Sequence, residues 1–301
     1  MSEEWDDIVC LPIIDISNVP NNNDVHQSIE QDSIDFINYQ QLISYFYSID
    51  LEPQNQTIIY FGKKCNFLMK ILRYIIFWKN YELKPHHVAE GNRIIRIAGQ
   101  SFDNRNKFHI RCLYTIFAKL TGNVISALKR FGQHWEEIGF QGSDPSTDFR
   151  GVGILGLFQL TFFVITPKVC QLSKEIYNLS LDQIQHYPFA ITSMNITQII
   201  LQMLRDGSLN HFINESDSVL NIFNQFYFGT FLYFHKIWKN DKKTIMDIGF
   251  VLKDLRHYVR NNLKKILNDL VDYQTMDPDK TIDQQENFTN IININHLDVD
   301  N

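Results

Sequence analysis

Apolar residues recur at three- and four-residue spacing along most of this chain, and almost nowhere with the two-residue alternation of a half-buried strand. Phe67, Leu68, Ile71, Leu72, Ile75 and Ile76 trace one face of a helix beginning near Cys65, with Lys70, Arg73 and Lys79 mostly on other faces. A weaker pattern predicts a helix over Val88 to Ile97. A clearer one runs from Phe108 to Leu120, where Leu113, Ile116, Phe117 and Leu120 share a side and Gly122 supplies the stop. Gly153 to Ile165 reads as a buried helix halted by Pro167. Ile191 to Leu204 follows Pro188 and ends near Gly207. Ser216 or Asp217 is placed to cap a long helix reaching Trp238, and Asp241 another reaching about Leu270. In that last helix Ile248, Leu252, Leu255, Val259, Leu263, Ile266 and Leu270 alternate threes and fours. Thr57 to Phe61 is ambiguous, and no repeat of fixed length is present. The pattern predicts an all-α fold with a single helical domain over residues 56–272.

One stretch of that pattern has two readings. Phe223, Phe226, Tyr227, Phe228, Phe231, Tyr233, Phe234 and Trp238 could form a stacking platform for nucleic-acid bases. They wrap most of a helix, however, and few arginines interleave them, so the expectation is a helix buried on most sides and no nucleic-acid partner.

Charge marks off the two ends. The 301 residues carry a net charge of −6. Residues 1–55 hold eleven acids and no Lys or Arg, and residues 269–301 hold eight acids and only Lys280. The remainder, 56–268, has 27 basic against 15 acidic residues. We expect an acidic, partly disordered segment over 1–55, broken by the loop signal Pro20-Asn21-Asn22-Asn23-Asp24 and containing one short helix between Ile34 and Tyr47. An acidic disordered tail is expected over 273–301. The basic middle either lies behind merely solvated tails or faces an acidic partner surface or anionic headgroups. Its lysines and arginines are scattered rather than clustered, which favours the first.

Cys10, Cys65, Cys112 and Cys170 lie far apart and form no C-x-x-C pair, so they suit neither a zinc site nor a disulfide framework. The acidic start Met-Ser-Glu-Glu-Trp-Asp-Asp does not resemble a secretory signal. The expected location is therefore cytoplasmic, with reduced thiols, and with Asn55, Asn178, Asn195, Asn214 and Asn287 unglycosylated. Nothing suggests myristoylation or prenylation. The longest apolar run, Gly151 to Thr166, contains Gln159 and Thr161 and falls short of the roughly 18 to 20 residues that cross a bilayer. Any membrane association would be peripheral and made through a partner.

The chemistry concentrates between Trp135 and Leu160, a turn-rich segment feeding the buried helix. Asp144-Pro145 opens a turn, Thr147 or Asp148 can cap the helix, and Gly151 and Gly153 permit close backbone approaches. Trp135 and Phe140 are expected to anchor the loop. The segment reads W-x3-G-F-Q-x2-D-P-x-T-D-F-R-G-x-G-x-L-x-L-x2-L, and it resembles the signature of the ELMO-domain family in its ELMO domain-containing branch. Tyr187 to Thr197, Tyr-Pro-Phe-Ala-Ile-Thr-Ser-Met-Asn-Ile-Thr, also resembles that family. The resemblance implies an all-α ELMO domain that activates Arf-family and Arf-like small GTPases, with the motif arginine, here Arg150, as catalytic residue. ELMO domains of engulfment-and-motility proteins, which assist an exchange factor, lack that arginine and carry further domains for which this chain has no room.

The implied chemistry suits the residue. GTP hydrolysis builds negative charge on the transferred phosphoryl group and the leaving oxygens, and a planar, permanently protonated guanidinium can meet both. Supplied in trans, such a finger accelerates hydrolysis roughly 10³- to 10⁵-fold. Around Arg150, the residues Trp135, Gly139, Phe140, Gln141, Asp144, Pro145, Thr147, Asp148, Phe149, Gly151 and Gly153 are read as loop support or partner contacts. The competing reading of Arg150 is a salt bridge to Asp144 or Asp148 that only locks the loop. Gln141 either orients the attacking water or closes the loop with a side-chain hydrogen bond. A catalytically silent ELMO-type scaffold that binds a GTPase or its regulator is the alternative for the whole domain.

Other motifs do not hold up. Gly151-Val-Gly153-Ile-Leu-Gly156 matches G-x-G-x-x-G, but a Pro-containing turn precedes it where a dinucleotide site needs a strand. No Walker-type sequence occurs, so GTP and its magnesium ion are expected on the partner and no cofactor on this chain. His86-His87 reads as a solvated turn rather than a metal site.

Overall fold

A computed structural model of the chain describes residues 35–51, 82–123 and 129–275. All regular structure among them is helical, with no strand. The helices are α1 (Tyr39–Ser48), α2 (Pro85–Ile97), α3 (Lys107–Thr121), α4 (His134–Glu137), α5 (Gly153–Ile165), α6 (Cys170–Ser180), α7 (Phe189–Arg205), α8 (Asn210–Asn214), α9 (Val219–Asn240), α10 (Ile248–Asn261) and α11 (Leu263–Thr275). Two 3₁₀ turns, Pro145–Phe149 and Ile245–Asp247, precede α5 and α10. The helix expected from Cys65, the ambiguous Thr57 to Phe61 and most of the two acidic flanks lie outside the described residues.

The architecture follows from α5. Every residue from Ile154 to Val164 is buried, so the helix has no polar face to offer water and must be enclosed. Helices α1, α2, α3, α6, α7 and α9 surround it. Its two central polar side chains are paired within the core: Gln159 Nε2 donates to Asn224 Oδ1 on α9 at 2.6 Å, and Thr161 Oγ1 donates to the Leu157 carbonyl at 2.7 Å. No single helix among the described residues is long and apolar enough to cross a membrane.

Helix α9 is the second buried element. Phe223, Phe226, Tyr227, Phe228, Phe231, Phe234 and Trp238 are all inside, so the aromatic run presents no platform to bases. Phe163 of α5 stacks on Phe231 at 5.0 Å, and Phe231 stacks in turn on Phe189 of α7 at 5.4 Å. On the other side α9 meets α11 at Gly229, where a Cβ would fall 2.8 Å from both the side chain and the carbonyl of Ile266. Helix α1 joins the same core through Leu42 and Phe46, opened by a capping box in which Asn38 and Gln41 satisfy each other's backbone N–H.

Several elements differ in detail from the sequence pattern. The cap of α9 is Ser218, whose Oγ accepts from Asn221 N, and not Ser216 or Asp217. Glu90 of α2 reinforces it: its carboxylate accepts from the backbone N–H of Val219 and Leu220, the Ser218 hydroxyl and the Tyr47 hydroxyl of α1. Asp241 begins no helix; it ends α9. The stripe from Ile248 to Leu270 is divided at Asn262, whose backbone (φ −131°, ψ 37°) leaves the helical region between α10 and α11. His86 and His87 occupy the first turn of α2, begun by Pro85, and His87 is buried rather than solvated. Helix α6 was not among the predicted elements, although Leu172, Ile176 and Leu179 recur at four- and three-residue spacing. Gly122 ends α3 as expected, with φ +72° and its N–H on the Ala118 carbonyl.

Glu90 joins three helices through one carboxylate. Glu90→Ala strands the first turn of α9 and is expected to lower unfolding free energy by about 1–3 kcal/mol in chemical denaturation. Glu90→Gln, which keeps an acceptor oxygen, is expected to cost less.

Candidate functional site

The motif segment is a loop pinned at both ends. Trp135, on the single turn of α4, is fully buried against Phe117 of α3 at 5.7 Å and Phe140 at 6.3 Å, and its indole N–H donates to the Arg130 carbonyl. Phe140 packs edge-on to Phe149 at 5.9 Å, and Phe149 stacks on Phe102. These rings carry the loop on the core, as the anchoring role of Trp135 and Phe140 requires.

Between the anchors the backbone turns at Gly139 (φ +84°). A Cβ there would lie 2.2 Å from the backbone nitrogen of Phe189, so α7 begins directly against this residue. The carbonyls of Ile138 and Gly139 accept the N–H groups of Ala190 and Ile191, two first-turn donors that Pro188, lacking a capping side chain, cannot satisfy. The two segments that resemble one family in sequence thus meet through main-chain hydrogen bonds.

Asp144 holds the middle of the loop. Its carboxylate caps the 3₁₀ turn by accepting from Ser146 N at 2.9 Å, while buried Pro145 occupies the first helical position. Asp144 pairs with Arg130 at 2.7 Å, not with Arg150. Burial pushes the Asp144 carboxyl up, but the Ser146 N–H and the Arg130 guanidinium outweigh it and hold the group below the usual range. Arg130 is itself buried, bonded through Nε to Asn104 and placed 4.8 Å and 4.6 Å from the ring centres of Phe102 and Phe131. It was missed in the sequence because it precedes the motif and pairs across fourteen residues.

Neither Thr147 nor Asp148 caps α5. The Thr147 hydroxyl donates to the Asp144 carbonyl, and Asp148 accepts from Gln141 N at 2.6 Å, closing the loop on itself. The cap position of α5 is Val152, with no side-chain cap; instead Ile154 N donates to the Gln100 carbonyl. Gly153 (φ +54°) lets that approach happen, since a Cβ would sit 2.5 Å from the carbonyl oxygens of Ala98 and Gln100. Gly156 lies equally close to Met194 of α7. Gly153 and Gly156 are packing positions, whereas exposed Gly151 would bring a Cβ no nearer than 3.7 Å, to Gln198 Oε1; no strand is present among the described residues. Gln141 takes part in the loop through its backbone N–H.

Arg150 emerges at the end of the 3₁₀ turn, exposed, followed by exposed Gly151 (φ +91°). Its Nε donates to the Thr147 carbonyl at 2.8 Å. It forms no salt bridge with Asp144 or Asp148, so the loop-locking ion pair proposed for it is absent. Burial raises the neighbouring Asp148 carboxyl to about 6, against the lowering effects of the Gln141 N–H and the Arg150 charge. Among the described residues no cluster of three or more His, Cys, Asp or Glu is arranged to hold a metal ion.

Residues 92–252 match the sequence profile of the ELMO/CED-12 family. The chain belongs to that family. The chain is 35% identical over 254 residues to mouse ELMO domain-containing protein 3, covering 83% of this chain and 66% of that protein. It is 34% identical to the human protein of the same name, over 78% of this chain and 60% of that one. ELMO domain-containing protein B of Dictyostelium discoideum is 33% identical over 162 residues, covering 54% of this chain and 56% of the relative. The chain thus spans a little under two thirds of these relatives' length. No solved structure matches it.

Two outcomes follow for the loop of this ELMO domain. Gly139→Ala combines a left-handed backbone with a backbone clash and is expected to lower the melting temperature more than Gly142→Ala, where a Cβ meets nothing within 4 Å. Asp148 is harder to ionise in the folded loop than in the unfolded chain. Its stabilising contribution is complete below the ordinary carboxylate value near 4 and is lost as pH rises through about 6. Asp148→Asn removes this titration, so the melting temperature of the variant relative to wild type is expected to rise between pH 4 and pH 6.5, as scanning calorimetry would read.

Proposed function

We propose that this ELMO domain is a GTPase-activating protein for Arf-family and Arf-like small GTPases, inserting Arg150 in trans beside the nucleotide on its partner. GTP and magnesium belong to the partner in this reading. The observation that carries the proposal is the state of Arg150: exposed, tethered by Nε to the Thr147 carbonyl and held in no ion pair among the described residues. The tether fixes the inner part of the guanidinium group. Its two terminal nitrogens can then contact the transferred phosphoryl group and the leaving oxygens together, where charge develops in the transition state.

The surroundings support this role. A finger works only if its backbone does not yield on contact, and the loop behind Arg150 is held by Asp144–Arg130, Asp148–Gln141 and the rings of Phe140 and Phe149. Asp148 is a brace and not a base, since its oxygen is turned inward to the Gln141 N–H.

Single-turnover hydrolysis by GTP-loaded Arf-family and Arf-like GTPases tests the proposal. Wild type is expected to accelerate hydrolysis, while Arg150→Ala and Arg150→Lys are expected to lose most of a roughly 10³- to 10⁵-fold effect and still bind the partner. Melting temperatures of both variants should stay within about 2 °C of wild type, because only one exposed hydrogen bond is removed. Unchanged stimulation by both variants rejects the finger. Binding without stimulation by wild type establishes the silent scaffold instead.

A further inference from the structure

Helix α7 reaches the surface through one narrow strip. Every residue from Phe189 to Leu204 is buried except Asn195, Gln198 and Gln202, and Arg205 continues that series of three- and four-residue steps. The four share one side of the helix and are half-buried. Midway along, the strip meets the site loop: a Cβ on Gly151, the residue after Arg150, would stand 3.7 Å from Gln198 Oε1. That oxygen is enclosed and has no hydrogen-bond partner among the described residues. Arg205 lies two turns further on, about 10 Å from Gln198 along the helix axis.

At that end α10 packs against α7. Arg260 bonds through Nη1 to Asp206, the cap residue of α7, and Arg256 stands one turn earlier on α10, flanking the buried face of Leu252, Leu255 and Val259. Arg256 is half-buried, and its Nε is enclosed without a partner. Arg205 has neither a hydrogen bond nor a salt bridge among the described residues. Burial lowers the pKa of both guanidiniums from the ordinary value, and the charge of Arg260 adds to the effect at Arg256. The neighbouring acids are committed or turned away. Asp206, its side chain 7% exposed, accepts from Arg260 and from the N–H and hydroxyl of Ser208. Asp148 turns inward to Gln141 N. Asp254 precedes Arg256 by two residues, about 200° around α10, which sets it on the far side of that helix. A half-buried guanidinium left in this state has given up part of its hydration and gained no carboxylate in exchange. An incoming carboxylate there competes with less water than at an exposed lysine.

We propose, resting on the partner read above, that Arg205 and Arg256 receive carboxylates on the surface of the same small GTPase whose nucleotide meets Arg150. One occupant can cover both places, because the loop carrying Arg150 touches the strip at Gln198. An interface of ordinary size, about 800 Å² on each partner, spans the loop and the two arginines together. Gln198 and Gln202 lie between the charges, so the strip offers hydrogen bonds along its length and suits an acidic, polar surface. The two kinds of arginine then divide the work. Arg150 acts where charge develops in the transition state, whereas Arg205 and Arg256 hold the complex equally well before and during hydrolysis.

Equilibrium binding of the full chain to Arf-family and Arf-like GTPases loaded with a non-hydrolysable GTP analogue, read beside single-turnover hydrolysis, tests this. Arg205→Glu and Arg256→Glu are each expected to weaken binding about tenfold at low salt. Their melting temperatures should stay at the wild-type value, because neither side chain has a partner within the domain to lose. Hydrolysis with either variant should approach the wild-type rate once the domain is in saturating excess, the reverse of Arg150→Ala, which binds without stimulating. Raising the salt concentration should weaken wild type more than the Arg205→Glu/Arg256→Glu double variant. Wild-type affinity in both single variants, or a saturating rate that falls as far as with Arg150→Ala, overturns the proposal. Binding by wild type that depends on Arg205 and Arg256 but brings no stimulation removes the finger and supports the strip. Absence of wild-type binding to any of these GTPases overturns both.

Discussion

The start of α7 has no side-chain cap, and the fold depends on how that lack is met. A helix N-terminus buried in a core leaves N–H donors that must be satisfied. Here the carbonyls of Ile138 and Gly139 provide for Ala190 and Ile191. A bond between two main chains fixes position more strictly than a bond between two flexible side chains, because neither partner has a rotamer to relax into. The site loop is thereby indexed to α7, α7 is packed on α5 and α9, and the motif cannot shift without unseating the helix beneath it. Gly139 admits this approach, and Gly153 repeats the device at the entry to α5.

The loop's polar groups divide into a buried tier and an exposed one. Arg130 and Asp144 form the lower tier, partly shielded by Phe102 and Phe131. Pairing there fixes geometry more than it adds net stability, since two desolvated charges recover little beyond what burial costs them. Asp148 sits between tiers, its carboxyl raised by burial to about 6. Arg150 forms the upper tier alone. An arginine meant to lock the loop would be found in the lower tier, and that place is occupied by Arg130.

Much of this was legible in the chain because the governing interactions are local. The period of α3, α5 and α7, the stop at Gly122 and the anchoring by Trp135 and Phe140 all follow from residues a few positions apart. Features that depend on distant partners were not legible. Glu90 caps a helix that begins 129 residues later, Arg130 takes the place beside Asp144 that only the competing salt-bridge reading gave to Arg150, and Ile154 N finds its acceptor on Gln100 instead of on Thr147 or Asp148. The division at Asn262 hides within an unbroken apolar stripe, because a stripe reports which face is buried and not whether the backbone is continuous. Helix α6 was legible but passed over, since Leu172, Ile176 and Leu179 recur at four- and three-residue spacing.

The single bond from Arg150 Nε to the Thr147 carbonyl has a consequence for how such domains diverge. The residue is an addition to a loop that is already complete, since every structural tie behind it is made by others. A lineage can therefore lose or regain this guanidinium in one codon without disturbing the scaffold. Selection can for that reason act on the chemistry of the loop apart from its folding.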